Sequence, residues 1–175
     1  MNLNDYIAVI NGYPKKGISF KDVTPLLRNK EAFKYTVEEL TKFALECGAN
    51  VIVGPEARGF LFGAPVAFNA NMGFVPVRKP HKLPREQVTY TYDLEYGQDT
   101  LCMHKDALKK GDKVVIIDDL VAVGGTIDAT AHMINELGAE VVGVGCVIAL
   151  KGLPGIEELP KKYKFKALLE LSDEE

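Results

Sequence analysis

Between Val114 and Thr126 the chain reads VVIIDDLVAVGGT, and this segment restricts the fold more than any other. Its first four residues are all β-branched and apolar, so a strand built from them has no face to show water. Such a strand needs cover on both sides, as in a mostly parallel sheet flanked by helices. Asp118 and Asp119 arrive where the strand ends, at the carboxyl edge where open α/β sheets hold their ligands. Gly124 and Gly125 allow a tight turn, so backbone N–H groups converge on an anion at the start of the next helix. Carboxylates beside an anion cradle imply a ligand with both hydroxyls and phosphate, such as a phosphorylated sugar.

The rest of the chain alternates in the way this strand requires. Glu31 to Cys47 places Phe33, Val37, Leu40 and Ala44 on one helical face, with Gly48 as a stop. Val51–Gly54 and Phe74–Val77 read as short buried strands, and a further strand is expected near Leu101. Between the first two, PEARGFLFGAPVAF enters a helix in which Pro65 is expected to disturb or bend the first two turns. Arg78 to Tyr96 shows no period and is read as a long functional loop. After the Val114 strand, Ile127, Thr130, Ile134 and Leu137 mark a helix ended by Gly138, and VVGVGCVIAL is another buried strand. The C-terminal stretch adds a helix or a strand with no expected site residue. Strand–helix alternation implies right-handed crossovers and a single α/β domain over residues 1–175.

The net charge of −3 gives no support for a nucleic-acid surface. Cys47, Cys102 and Cys146 lack metal-like spacing and read as buried, reduced thiols, which suits a cytoplasmic protein. The N-terminus has no basic segment followed by a long apolar one, and no apolar run is long enough to span a bilayer. Gly54 to Gly59 has the spacing of a P-loop, but Phe60 and Leu61 stand where Lys and Ser or Thr are needed. No GxGxxG follows a strand, so the dinucleotide fingerprint is missing as well.

The Val114–Thr126 segment resembles the phosphoribosyl pyrophosphate signature of the type I phosphoribosyltransferases. The resemblance implies that Asp118 and Asp119 reach the ribose hydroxyls while Ala122, Val123, Gly124, Gly125 and Thr126 cradle the 5′-phosphate. One residue departs from the pattern: Val123 stands where the family usually has Thr. One neutral hydrogen bond is lost, worth roughly 0.5–1.5 kcal/mol, and weaker phosphate affinity is expected.

Three more stretches resemble the adenine-specific branch of that family. YPKKGISFKDVTPLL (Tyr13–Leu27) is similar to its N-terminal purine-binding segment, within a hood over residues 1–30. The resemblance implies adenine contacts from Ser19, Phe20, Lys21 and Leu120, with Phe20 stacking on the base and backbone groups of Ser19 and Lys21 reading its edge. Taken alone, Phe20 reads as core packing. VGPEARGFLFGAP (Val53–Pro65) resembles a pyrophosphate loop, with Glu56-Ala57 as an unusual peptide whose isomer the sequence leaves open. Arg58 follows as the planar ligand that matches paired phosphate oxygens. Arg78 to Gly97 resembles a flexible lid whose Arg78, Lys79 and Lys82 face pyrophosphate. Glu95 matches the acid that delivers a proton to N7 of the purine, and Tyr96 closes over the reacting centre. His81, His104 and His132 are read as incidental or structural.

The resemblance implies adenine and phosphoribosyl pyrophosphate as substrates, and AMP and pyrophosphate as products, in purine salvage. It also implies Mg2+ carried mainly by substrate and water, a homodimer, and no nucleic-acid or membrane partner. Another purine base, a purine-responsive regulator and a silent phosphosugar-binding subunit are the alternatives. Glu95 and Arg58 argue against the last; the mere dozen or so residues before Tyr13 and the acidic balance of the chain argue against the regulator.

Overall fold

The computed structural model describes residues 1–174. Five parallel strands form the central sheet: β3 (Val51–Pro55), β4 (Gly73–Val77), β7 (Lys113–Val121), β8 (Glu140–Lys151) and β9 (Phe165–Ser172), in the spatial order β4-β3-β7-β8-β9. Along β7 the alternation of a pleated strand sorts the apolar run onto two faces. Val114 and Ile116 join a core with α4 (Gly125–Glu136), whereas Val115 and Ile117 join a core with α2 (Lys30–Glu46) and α3 (Arg58–Asn69). Both cores exclude water, as the unbroken run of apolar residues requires.

α2 starts at the Asn29 side chain, which accepts hydrogen bonds from the Glu31 and Ala32 N–H groups. α3 runs unbroken through Pro65, so the helix is not interrupted in its first two turns, contrary to one of the two outcomes expected there. The bond forgone is to the carbonyl of Leu61, on an exposed side of the helix, while Phe62, Gly63, Val66 and Ala67 stay packed on the sheet. The C-terminal stretch supplies both an element of helix, α5 (Pro154–Lys162), and the edge strand β9.

Two antiparallel ribbons stand outside the main sheet. β1 (Ala8–Asn11) pairs with β2 (Ser19–Asp22) near the N-terminus, and α1 (Thr24–Arg28) follows. β5 (Gln87–Asp93) pairs with β6 (Gln98–His104). This second ribbon corrects the expectation of a structureless loop from Arg78 to Tyr96, and the strand expected near Leu101 is its return limb. Its period is two, not absent: Val88, Tyr90 and Tyr92 pack on the core, and Thr89 and Thr91 point to water. Of the three cysteines, Cys102 and Cys146 are buried but Cys47 is only partly so.

Candidate active site

The sheet order places a switch between β3 and β7. From β3 the chain moves outward to β4, then returns to β7 and proceeds the other way through β8 and β9. Open α/β sheets form their ligand crevice at such a point, beyond the strand carboxyl ends. Pairing of β3 with β7 stops at Ile116, whereas pairing of β7 with β8 continues to Val121. Asp118 and Asp119 therefore lie within β7, not after it, on a stretch that β3 leaves uncovered.

A cavity of about 630 Å³ opens there, within the size range of small-molecule sites. Asp118, Leu120 and the loop Ala122–Thr126 line one wall; Tyr92, Glu95 and Asp99 of the β5–β6 ribbon line the other. Gly124 takes φ +82° and caps α4, a conformation that a residue with Cβ rarely adopts. Its carbonyl accepts from the Asp128 N–H at 2.9 Å, which closes the first helical turn behind the loop. The Asp118 Oδ1 atom accepts from the Asp119 N–H at 2.8 Å. Burial, and then the adjacent Asp119 charge, raises the Asp118 carboxyl well above the usual carboxylate range. Beneath it in β8, Cys146 is also pushed up, first by burial and then by both carboxylates.

Arg58, at the start of α3, joins three of the sequence motifs. Its Nε lies 2.9 Å from the buried Asp119 Oδ2, without the alignment of a hydrogen bond. Its guanidinium carbon lies 5.1 Å above the Phe20 ring, within cation–π range. Phe20 in turn meets Tyr13 edge to face at 5.3 Å. Phe20 is thus half-buried against site residues rather than in the core. The Lys21 side chain is buried, and its Nζ donates to Ser19 Oγ at 2.9 Å.

The peptide between Glu56 and Ala57 is cis. The Glu56 carboxylate accepts from the Lys79 N–H at 2.6 Å and from Arg78 Nε at 3.3 Å. The Lys79 N–H, with Arg78 adding to it, holds the Glu56 carboxyl below its usual range. Lys79 itself is ion-paired with Asp99, so its ammonium is turned toward the ribbon. Burial opposes ionisation of Asp99, but Lys79 outweighs it and keeps that carboxyl below the usual range. Lys82 is exposed nearby, and Tyr96 is 81% exposed at the ribbon tip, away from any closed position over the cavity. His81 is exposed, His132 stacks on Tyr90 at 4.2 Å, and His104 Nδ1 lies 3.3 Å from Arg85.

Three residues at this site are missing from the sequence reading. Tyr92 belongs to the stretch read as a loop, where the alternation in VTYTYD is the signal that would have exposed it, and Asp99 stands at the start of the strand expected near Leu101. Gly155 belongs to α5, where no site residue is expected. A Cβ at Gly155 would stand 1.9 Å from the Val123 carbonyl oxygen, so α5 lies directly against the loop backbone. No local pattern in the sequence announces that contact.

Comparison with known proteins follows the same lines. Residues 26–174 match the family model described as a phosphoribosyl transferase domain. An adenine phosphoribosyltransferase of Clostridium kluyveri is 51% identical over 169 residues, covering 97% of this chain and 98% of that protein. The crystal structure of an adenine phosphoribosyltransferase from Thermoanaerobacter pseudethanolicus superimposes with a TM-score of 0.92 at 46% identity, covering 96% and 97% of the two chains. The Saccharomyces cerevisiae enzyme, solved with an imino-altritol bisphosphate and adenine, has a TM-score of 0.89 at 34% identity, covering 95% and 96%.

Proposed function

The chain belongs to the phosphoribosyltransferase family, and we infer that it acts as an adenine phosphoribosyltransferase, converting adenine and phosphoribosyl pyrophosphate to AMP and pyrophosphate. The observation that carries this most is the single cavity in which the acidic strand end, the Ala122–Thr126 loop and Glu95 face one another. The loop takes the 5′-phosphate at the N-terminus of α4, where backbone N–H groups and the helix dipole favour an anion. Asp118 and Asp119 hold the ribose hydroxyls and oppose the positive charge that develops on the sugar as the C1–O bond breaks. The electron pair leaves with pyrophosphate, which Arg58, Arg78, Lys79 and Lys82 receive beside the Glu56-Ala57 peptide.

Adenine lies against Phe20 and Leu120. β2 is paired on one edge only, so its other edge offers backbone groups at Ser19 and Lys21 to the base. As N9 bonds to C1, adenine loses one proton; Glu95 exchanges that proton at N7, and delivers it in the reverse direction. Residues 78–97 act as the lid and bring Tyr96 inward, which excludes water from the developing cation.

Among the described residues no three or more His, Cys, Asp or Glu side chains gather to hold a metal ion, so Mg2+ would be carried mainly by substrate oxygens and water beside Asp118 and Asp119. When bound, it neutralises charge on the departing pyrophosphate. We place the enzyme in the cytoplasm as one domain with a hood at residues 1–30. No helix among the described residues is long and apolar enough to cross a membrane. A homodimer is supported by the apolar face of α2 and α3, where Phe68 is 90% exposed beside Phe33, Val37 and Pro65.

The test is turnover of phosphoribosyl pyrophosphate with adenine, hypoxanthine, guanine and xanthine in parallel. AMP formation with matching, adenine-dependent release of pyrophosphate is expected. Faster turnover of another purine, or pyrophosphate release indifferent to adenine, would overturn the assignment.

A further inference from the structure

A bound phosphate dianion offers only acceptors, so its cradle must supply donors. In the loop, Ala122, Val123, Gly124 and Gly125 have no side-chain donor, and Thr126 alone contributes a hydroxyl. A second hydroxyl stands at the same place from another part of the chain. The Tyr92 ring lies over Gly125, where a Cβ would be 3.1 Å from Tyr92 Cε2, and its hydroxyl is 3.3 Å from Thr126 Oγ1. That hydroxyl is also 3.3 Å from Asp99 Oδ2, to which it donates. Both distances are long for bonds between oxygens, whose usual separation is about 2.7–2.8 Å. The phenol therefore has one proton and two long contacts, neither of which holds it firmly. Burial, aided by the Asp99 charge, raises its pKa above the usual tyrosine range, so the proton is present at neutral pH.

We propose that Tyr92 is a phosphate ligand from outside the signature loop, its hydroxyl joining Thr126 on the 5′-phosphate, and that Asp99 competes with phosphate for the same proton. The proposal rests on the functional reading above, since it needs a phosphoryl group in the Ala122–Thr126 cradle. Asp99 faces the cavity with a negative charge that Lys79 offsets from one side. Its presence has two costs for an incoming dianion: direct repulsion, and a donor already engaged. Tyr92 and Asp99 consequently act on phosphate with opposite sign, although they are bonded to each other.

That opposition is the test. Calorimetric titration with ribose 5-phosphate, which carries the phosphate end of the substrate alone, is run on the wild type, Tyr92→Phe and Asp99→Asn. Tyr92→Phe keeps the ring over Gly125 and is expected to weaken binding about tenfold, the scale of one hydrogen bond to a charged group. Asp99→Asn is expected to tighten it. Adenine binding should not change in either variant. Val123→Thr should tighten binding more in the Tyr92→Phe background than in the wild type, because there it replaces a lost hydroxyl, whereas equal gains in the two backgrounds would mark a packing defect and count against the proposal. Equal ribose 5-phosphate affinity in wild type and Tyr92→Phe overturns the proposal, as does weakening by both variants, which marks a purely structural pair. If Asp99→Asn does not fold, the Tyr92→Phe titration and the Val123→Thr comparison decide alone. Failure of the wild type to bind ribose 5-phosphate would remove the phosphoribosyl reading together with this one. A wild type that binds the sugar phosphate but leaves adenine unused would overturn only the base.

Discussion

The two walls of the cavity are built by opposite means. One is the end of β7 and the loop after it, set into the main sheet, with Asp119 buried and Asp118 held by the backbone of its neighbour. The other is a two-stranded ribbon that reaches the site with its exposed tip, where Glu95 and Tyr96 meet solvent. Groups that must meet the sugar as fixed charges are carried by the core, where relaxation is slight. Glu95 and Tyr96 are carried by the exposed ribbon tip, beyond the Val88, Tyr90 and Tyr92 side chains that anchor the ribbon on the core. On the proposed reading, the buried wall supplies preorganised charge, and the exposed one supplies gating and proton exchange.

The largest effect expected from this division is at Glu95. Glu95→Gln should lower kcat about 10²–10⁴-fold, the usual scale for a positioned acid or base, with the affinities for both substrates unchanged. Steady-state kinetics with separate ligand titrations would show it, and wild-type turnover would put the proton elsewhere. Next comes the packing behind the buried wall. Gly155→Ala drives a Cβ into the Val123 carbonyl, and overpacking of this kind costs ~1–3 kcal/mol. If that cost falls on the loop, KM for phosphoribosyl pyrophosphate should rise about tenfold or more while KM for adenine stays put; an unmoved KM would show that α5 does not support the cradle.

A smaller change is expected at the loop itself. Val123 is 67% exposed, so Val123→Thr needs no repacking and adds a hydroxyl at the cradle. KM for phosphoribosyl pyrophosphate should then fall by the worth of one hydrogen bond, ~0.5–1.5 kcal/mol, and an unchanged value would mean that the side chain does not reach phosphate. The smallest effect is thermal and distinguishes the walls directly. Burial, then Asp119, raises the Asp118 carboxyl, so this group binds its proton more tightly in the folded state. The stability it confers is complete below its unfolded pKa of about 3.9 and is lost as pH rises through the raised folded value. Asp118→Asn should therefore melt above the wild type at pH 7, with the gap closing as pH falls toward about 4. Glu95→Gln, on the exposed wall, should leave Tm where it is. A matching rise in both variants would erase the contrast between them.

Much of the buried wall was legible in the chain because its signals are local. An apolar run next to two carboxylates and a glycine turn states its own burial, its edge and the turn that starts the next helix within a dozen or so residues. The ribbon was harder. Its alternation is carried by tyrosine and threonine, flanked by Pro, Lys and Arg, and the polar hydroxyls obscured a period of two that burial of Val88, Tyr90 and Tyr92 makes plain. The chain alone suggests Arg58 as an anion ligand, but not its approach to both Asp119 and Phe20, since that needs three distant segments brought to one point.

What the sequence determined by itself was the layered α/β architecture, the strand end that carries the acids, and the residue types able to meet ribose, phosphate and base. Each follows from periodicity or from chemistry held within one short segment. Only the tertiary structure decided which groups share the cavity: Tyr92 against Thr126, 34 residues apart, Gly155 against Val123, and Asp99 against Lys79. Those contacts depend on how a ribbon and a late helix dock on the switch point of the sheet. Docking of that kind is set by the summed packing of the whole core, and no local pattern in the chain encodes it.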